Sequence, residues 1–238
     1  MKSVHDKHGI RNERKDQLNG TAPARPIRVL VVDDHAVVRD GLKMLLESAE
    51  DIRVVGMAPN GCVALQEAGR TSPDVVLMDV VMPEMNGIEA TAQLLHGSPS
   101  IRVVMVSMIS DVEHVYRALQ AGAKGYVLKS SSSKQVINAV RTVHAGRRFL
   151  SPGIAESMLD EYLLARIPTS PLDQLSQRER QVLQLLAEGR STTVIGRLLS
   201  LSPKTVDTYR SRMMQKLGIS EAASLIKFAI RHCITPPE

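Results

Sequence analysis

Residues 75–87 read Val75-Val76-Leu77-Met78-Asp79-Val80-Val81-Met82-Pro83-Glu84-Met85-Asn86-Gly87. An apolar run rich in β-branched side chains, closed by a Pro/Asn/Gly cluster, has the pattern of a parallel strand buried on both faces and ended by a turn. One carboxylate, Asp79, stands at the end of that run. In doubly wound α/β sheets ligands bind outside the carboxyl ends of the strands, so Asp79 is placed for chemistry and poorly placed for packing. Alone, it could equally be a strand-end helix cap; its company decides the reading.

That company lies in three further apolar runs. Ile27-Arg28-Val29-Leu30-Val31-Val32 ends in Asp33-Asp34, Ile101-Arg102-Val103-Val104-Met105-Val106 ends in Ser107, and Gly125-Tyr126-Val127-Leu128 ends in Lys129. An acid pair, an acid, a hydroxyl and an amine at four strand ends are hard to explain as core. The set suits phosphoryl transfer onto Asp79. Converging carboxylates repel one another, and a hard divalent ion with oxygen ligands, Mg²⁺ foremost, relieves that repulsion and keeps Asp79 an ionised nucleophile. The Lys129 ammonium would share in neutralising the phosphoryl oxygens, and the Ser107 hydroxyl can hydrogen-bond one of them.

On these residues the stretch from about 27 to 148 resembles the receiver domain of bacterial two-component response regulators. The resemblance implies a flavodoxin-like, doubly wound α/β fold with five parallel strands in the order 2-1-3-4-5. It implies that Asp33 and Asp34 hold Mg²⁺, with Asp34 in direct contact, and that Asp79 is the phospho-acceptor. The backbone carbonyl of Val81 would be the metal's main-chain ligand. Ser107 would be the switch hydroxyl, Tyr126 the switch aromatic and Lys129 the phosphate-binding lysine. Ser130 stands where many receivers carry a proline.

A chain of 238 residues suggests two domains. Trp is absent and aromatic residues make up 3%, so the cores are expected to be aliphatic and methionine-rich. Cys62 and Cys233 are expected as buried free thiols of a reducing cytosol. No apolar stretch approaches the roughly 18 residues of a membrane span, and the first 26 residues lack the apolar core of a secretory signal. Residues 1–26, with six basic and three acidic side chains, read as a disordered basic tail. A cytoplasmic protein without membrane contact is the expectation.

Residues 27–150 carry 13 basic and 13 acidic side chains, whereas residues 172–217 carry eight and four, a modest basic footprint for nucleic acid. Ser151-Pro152 opens an amphipathic helix through Ile154, Met158, Leu159, Tyr162 and Leu163, and Ile167-Pro168-Thr169-Ser170-Pro171 breaks it as a hinge. The expected units are therefore a tail over 1–26, a receiver over 27–148, a linker with helix over 149–171 and a helical unit over 172–238. Four helices are expected in the last: one opened by the capping box Ser176–Glu179, one over about 193–199, one from Ser202-Pro203 to Gly218, and one opened by Ser220. Gly196 reads as a small residue that lets the third helix cross closely. The turn of about three residues between the second and third is the geometry of a helix-turn-helix.

This block resembles the helix-turn-helix of the LuxR/NarL/FixJ output family. The resemblance rests on Leu175 to Glu179, Val182-Leu183, Leu186-Ala187, Gly189, Ile195, Leu198-Leu199, Ser202, Lys204-Thr205-Val206 and Lys216-Leu217-Gly218. It implies that the third helix enters the major groove of double-stranded promoter DNA. Asp207, Thr208 and Ser211 would face base edges, and Lys204, Thr205, Tyr209, Arg210, Arg212 and Lys216 would lie near phosphates or the groove rim. Asp207 stands where many relatives carry a cation, and Tyr209 replaces a common histidine, as in a subset that includes global activators.

The expected function is a phosphorylation-dependent transcription regulator that takes its phosphate from a sensor histidine kinase and dimerises on DNA, with the apolar side of the fourth helix as a second dimer contact. Ser107 and Tyr126 are expected to shift inward on phosphorylation. Two alternatives are a DNA-binding protein with a purely structural receiver and an acid-nucleophile phosphatase of the haloacid dehalogenase type. The phosphatase would need a second acid two residues past Asp79, where Val81 stands. The histidines, His35 included, are expected to be exposed polar residues.

Overall fold

The computed structural model describes residues 25–163 and 170–235. Nearly all of the expected tail, and the Ile167–Thr169 part of the expected hinge, lie outside the described residues.

The sheet is built from β1 (Ile27–Val32), β2 (Ile52–Ala58), β3 (Val75–Asp79), β4 (Arg102–Ser107), β5 (Gly125–Leu128) and β6 (Phe149–Leu150), in the order β2-β1-β3-β4-β5-β6. Every pairing is parallel. The sixth strand extends the expected order of five. It is two residues long, too short for periodicity to reveal, and is fixed by Phe149 N–H donating to the Lys124 carbonyl and Ser151 N–H to the Tyr126 carbonyl.

Helices α1 (Ala36–Glu47), α2 (Gly61–Thr71), α3 (Gly87–Gly97), α4 (Val112–Gln120) and α5 (Ser133–His144) cross between the strands. Alternation along each strand sends side chains to two cores. Leu30, Val32, Val76, Met78 and Met105 join residues of α2, α3 and α4 on one face; Val29, Val31, Val75, Leu77 and Val104 join Leu46 of α1 and Val136, Val140 and Val143 of α5 on the other. Burial on both faces is why the strands read as continuous apolar runs.

α6 (Pro152–Leu163) inserts Ile154 into the first core, with Met158 packed beside it. Its expected apolar stripe is used only that far: Leu159 and Tyr162 are exposed.

The C-terminal unit begins with a 3₁₀ turn, Pro171–Gln174, in addition to the four expected helices, and continues with α7 (Gln177–Ala187), α8 (Thr192–Leu199), α9 (Pro203–Leu217) and α10 (Ala222–Arg231). Serine hydroxyls of Ser176, Ser191 and Ser202 accept from the third-residue N–H of α7, α8 and α9, each cap contributing about 1 kcal/mol. The fourth helix is capped at Glu221, which gives no side-chain cap bond, and not at Ser220. Leu172, Val182, Leu183, Ile195, Val206, Met213 and Leu225 form an aliphatic core. Gly196 is explained by the α8–α9 turn: a Cβ there would lie 2.6 Å from the Leu201 carbonyl oxygen. Both cysteines are free and only partly buried, a correction to the expectation of buried thiols.

Candidate phosphoryl-transfer site and DNA-reading face

The register brings the polar strand ends together. Val32 lies opposite Met78, Asp79 opposite Val106 and Ser107 opposite Leu128, so Asp33, Asp79, Ser107 and Lys129 follow within about one residue of a common level. Lys129 Nζ sits 2.6 Å from Asp79 Oδ2 and 2.7 Å from Asp33 Oδ2. The other Asp79 oxygen accepts from the Val80 N–H at 2.7 Å. Ser107 is buried, and its hydroxyl accepts from the Ile109 N–H at 3.1 Å.

Asp33, Asp34, His35 and Asp79 each bring a potential ligand atom within 4.8 Å of the others. Asp34 Oδ1 is buried and makes no hydrogen bond, although His35 Nδ1 stands 2.7 Å away. Such an oxygen-rich cluster with an unsatisfied carboxylate fits a hard divalent cation. His35 is exposed as expected, but it belongs to this cluster, and its position directly after two acids is the sequence signal for it.

Burial pushes the Asp79 carboxyl up to about 6; Lys129 and the Val80 N–H pull it down and Asp33 raises it. Desolvation alone would lower Lys129, but the Asp33 and Asp79 carboxylates outweigh it and hold the ammonium above its ordinary value. The two shifts describe one charge arrangement: a buried carboxyl and its internal counter-ion in a half-closed pocket. Tyr126 is fully buried, its hydroxyl donating to the Ile109 carbonyl at 2.8 Å, and burial drives its pKa upward. The ring expected to shift inward on phosphorylation lies buried in this structure.

The loop after β3 turns sharply. Gly87 begins α3 where a Cβ would fall 1.8 Å from the Asp79 carbonyl oxygen, so no larger residue fits without moving the strand end. Glu84 adopts φ +65°, and its N–H donates to Glu188 Oε1 of α7 at 2.8 Å. Gln184 of α7 accepts from the Asn86 N–H at 3.0 Å and from its side-chain amide at 3.1 Å, and donates to the Met82 carbonyl at 2.8 Å. Arg180, one turn earlier, pairs with the buried Glu89 of α3. The sequence carried no sign of these contacts, because polar residues on a solvated helix face and on a docked one look alike.

A second contact comes from the end of the chain. His114 of α4 lies 3.2 Å from Asp111 Oδ1 through Nδ1 and 3.1 Å from the His232 carbonyl through Nε2. Burial opposes its charge, but Cys233, the His232 carbonyl and Asp111 outweigh that and raise its pKa to about 9, so both ring nitrogens donate. Ile230, Cys233 and Thr235 close a cavity of about 310 Å³ that Asp34, Asp79, Val81, Ser107 and Lys129 line from the receiver side. The outward apolar side of the fourth output helix, expected as a dimer contact, thus has Ile230 turned onto this pocket.

On α9, Lys204, Thr208, Ser211, Arg212 and Lys216 are exposed, and Thr205, Asp207, Tyr209 and Arg210 are half-exposed. Ser202, Lys204, Thr205, Thr208, Tyr209 and Arg212 line one shallow concavity. Asp207 is 3.1 Å from Arg210, so part of its charge is answered within the helix. Lys216 is committed elsewhere: its ammonium bonds the buried Glu179 of the first capping box at 2.7 Å, which makes it a brace between α9 and α7.

Residues 29–141 match the response regulator receiver domain family, and residues 173–229 match the luxR family of bacterial regulatory proteins. The response regulator GacA of Pseudomonas viridiflava is 43% identical over 87% of this chain and 96% of its own length. The response regulator UvrY of Escherichia coli K12 is 37% identical over 87% of this chain and 94% of its own. Among solved structures, the response regulator RcsB of Salmonella typhimurium is 25% identical, with a TM-score of 0.62 over 89% of this chain and all of that one. With a receiver fold at one end, a luxR-type helix-turn-helix at the other and relatives matched across both, the chain belongs to the two-component response regulators of the NarL/FixJ type, which are DNA-binding transcription regulators.

Proposed function

We propose that Asp79 is the phospho-acceptor through which a sensor histidine kinase controls DNA binding. The convergence of Asp33, Asp34, Asp79 and Lys129 on one pocket carries this reading. A carboxylate oxygen of Asp79 attacks the phosphorus of a phosphohistidine; the new O–P bond forms as the P–N bond breaks, and the electron pair leaves on the imidazole, which takes up a proton. Asp33, Asp34, Asp79 and Val81, which lines the same cavity, would hold Mg²⁺, and the ion supplies neutralisation of phosphoryl charge. Lys129 exchanges its bond to Asp79 for one to a phosphoryl oxygen. Ser107 exchanges its bond from the Ile109 N–H for one to the phosphate, which pulls on the segment whose Ile109 carbonyl holds Tyr126.

The proposed units are a receiver over 27–148, a linker over 149–171 and the DNA-binding domain over 172–238, with residues 1–26 an appended basic tail. In the last domain α9 reads the major groove with Asp207, Thr208 and Ser211, while Lys204, Thr205, Tyr209, Arg210 and Arg212 contact phosphates or the rim. Two copies bind inverted half-sites about one helical turn of DNA apart; the solved structure of two RcsB dimers bound to two parallel DNAs supports binding as a dimer. Among the described residues no helix is long and apolar enough to cross a membrane.

The test is intact mass after incubation with acetyl phosphate and Mg²⁺, for wild type and Asp79→Asn. One acid- and base-labile phosphate on wild type only, with tighter DNA binding, is the expected result. Uptake by Asp79→Asn to the same extent would refute the assignment.

A further inference from the structure

The docked DNA-binding domain leaves its own reading helix open and covers the phosphoryl-transfer pocket instead. Lys204, Thr208, Ser211 and Arg212 are exposed, whereas Asp79 is 5% exposed under a roof formed by Ile230, Cys233 and Thr235. The roof is pinned by the bond from His114 to the His232 carbonyl and by the approach of His232 to Glu113. On the adjoining side the loop carrying Val81 is gripped by α7. Arg180, Gln184 and Glu188 recur every four residues, one turn apart on a single helix face, and bond Glu89, the Met82 carbonyl with Asn86, and the Glu84 N–H. Gln184 uses acceptor and donor together, so the Asn86 N–H, the Asn86 side-chain amide and the Met82 carbonyl all find a partner inside a buried contact.

We infer that this grip and roof form a donor-size gate: docked, the pocket admits a small phosphoryl donor but not a phosphohistidine carried on a protein, and Gln184 is the positioning residue that keeps it shut. The inference rests on Asp79 being the acceptor. A cavity of about 310 Å³ survives beneath the roof, room for an acyl phosphate or a free phosphohistidine. A phosphohistidine on a polypeptide has to bring its own backbone to the mouth of the pocket, which residues 230–235 already occupy. Protein donors therefore react only with the fraction of molecules whose domains have separated, and their apparent rate scales with that fraction.

The experiment uses the full chain with Mg²⁺, as wild type and as the double variant Gln184→Ala/Glu89→Gln, which loosens the contact from both sides. Phosphate uptake is timed from free phosphohistidine and from the same group within a peptide of about 20 residues, and the radius of gyration is read by solution scattering. The variant is expected to expand, to gain at least fivefold in rate from the peptide donor and to change less than twofold with the free donor. An expanded variant with the wild-type ratio of the two rates overturns the gate. An unchanged radius of gyration overturns it too, because the named contacts then do not hold the domains together. Failure of wild type to take phosphate even from the free donor sinks the acceptor assignment itself, a different result from failure of the gate.

Discussion

Replacing Lys129 by methionine keeps the aliphatic stem and removes the ammonium from between two buried acids. Nζ lies 2.6 Å from Asp79 and 2.7 Å from Asp33, whose side chains are 6% and 1% exposed. Removing one member of a buried ion pair costs about 3–5 kcal/mol. Part of this is recovered by protonation, since burial already holds Asp79 near 6 and loss of Lys129 lifts it further. A carboxyl whose folded pKa exceeds its unfolded value opposes folding once ionised. That cost is complete above the folded value and gone below the ordinary value of 3.8, where the group is protonated in both states. The expected loss for Lys129→Met is therefore about 3 kcal/mol near pH 7.5 and under about 1 kcal/mol near pH 4. Urea unfolding of the full chain by circular dichroism, in chelator at both pH values, measures it. An equal loss at the two pH values, or none at the higher one, would refute the counter-ion argument.

Gly87→Ala places a methyl 1.8 Å from the Asp79 carbonyl oxygen, and a thermal midpoint lowered by roughly 6 °C or more is expected from about 3 kcal/mol of overpacking; a neutral substitution would contradict the packing. His114, faced by Asp111, Glu113, Arg117, His232 and Cys233 and raised to about 9 when docked, favours docking fully below its ordinary value of 6.5 and loses that effect as pH rises through 9. Solution scattering should accordingly show expansion between those pH values in wild type and a flat profile in His114→Ala. Arg212→Ala should reduce the salt slope of DNA binding by about 1, whereas Lys216→Ala, by unpairing Glu179, should lower the thermal midpoint and leave that slope in place. Equal salt-slope losses in the two variants would overturn the assignment of Lys216 as a brace.

The parallel sheet was legible because its strands are buried on both faces and end in chemically distinct residues; Asp79, Ser107 and Lys129 announced both the fold and the pocket. β2 was less visible, since Arg53 and Met57 point outward from an edge strand interrupted by Gly56, and the two-residue β6 has no period to detect. The helix-turn-helix was read from its serine caps and Gly218, signals that act within one turn of the chain. Gln184, Glu188 and His114 were not legible. Their partners lie about a hundred residues away in sequence, and nothing in local composition separates a docked polar face from a wet one. Lys216 shows the converse: the sequence offers it to phosphate, and its carboxylate partner Glu179 on α7 is visible only in the structure.

The strand order also sets a timetable. β1 lies between β2 and β3, pairing Val29 with Val75, and the sheet is not finished until Phe149 reaches Gly125. Long-range parallel pairing is slow, whereas short capped helices that meet their neighbours across tight turns assemble quickly. During synthesis the receiver sequence emerges before the DNA-binding unit and has the slower task. Gln184 and the turn after α10 have nothing to grip until that sheet is complete, so closure of the pocket waits on the slower receiver and not on the helical unit.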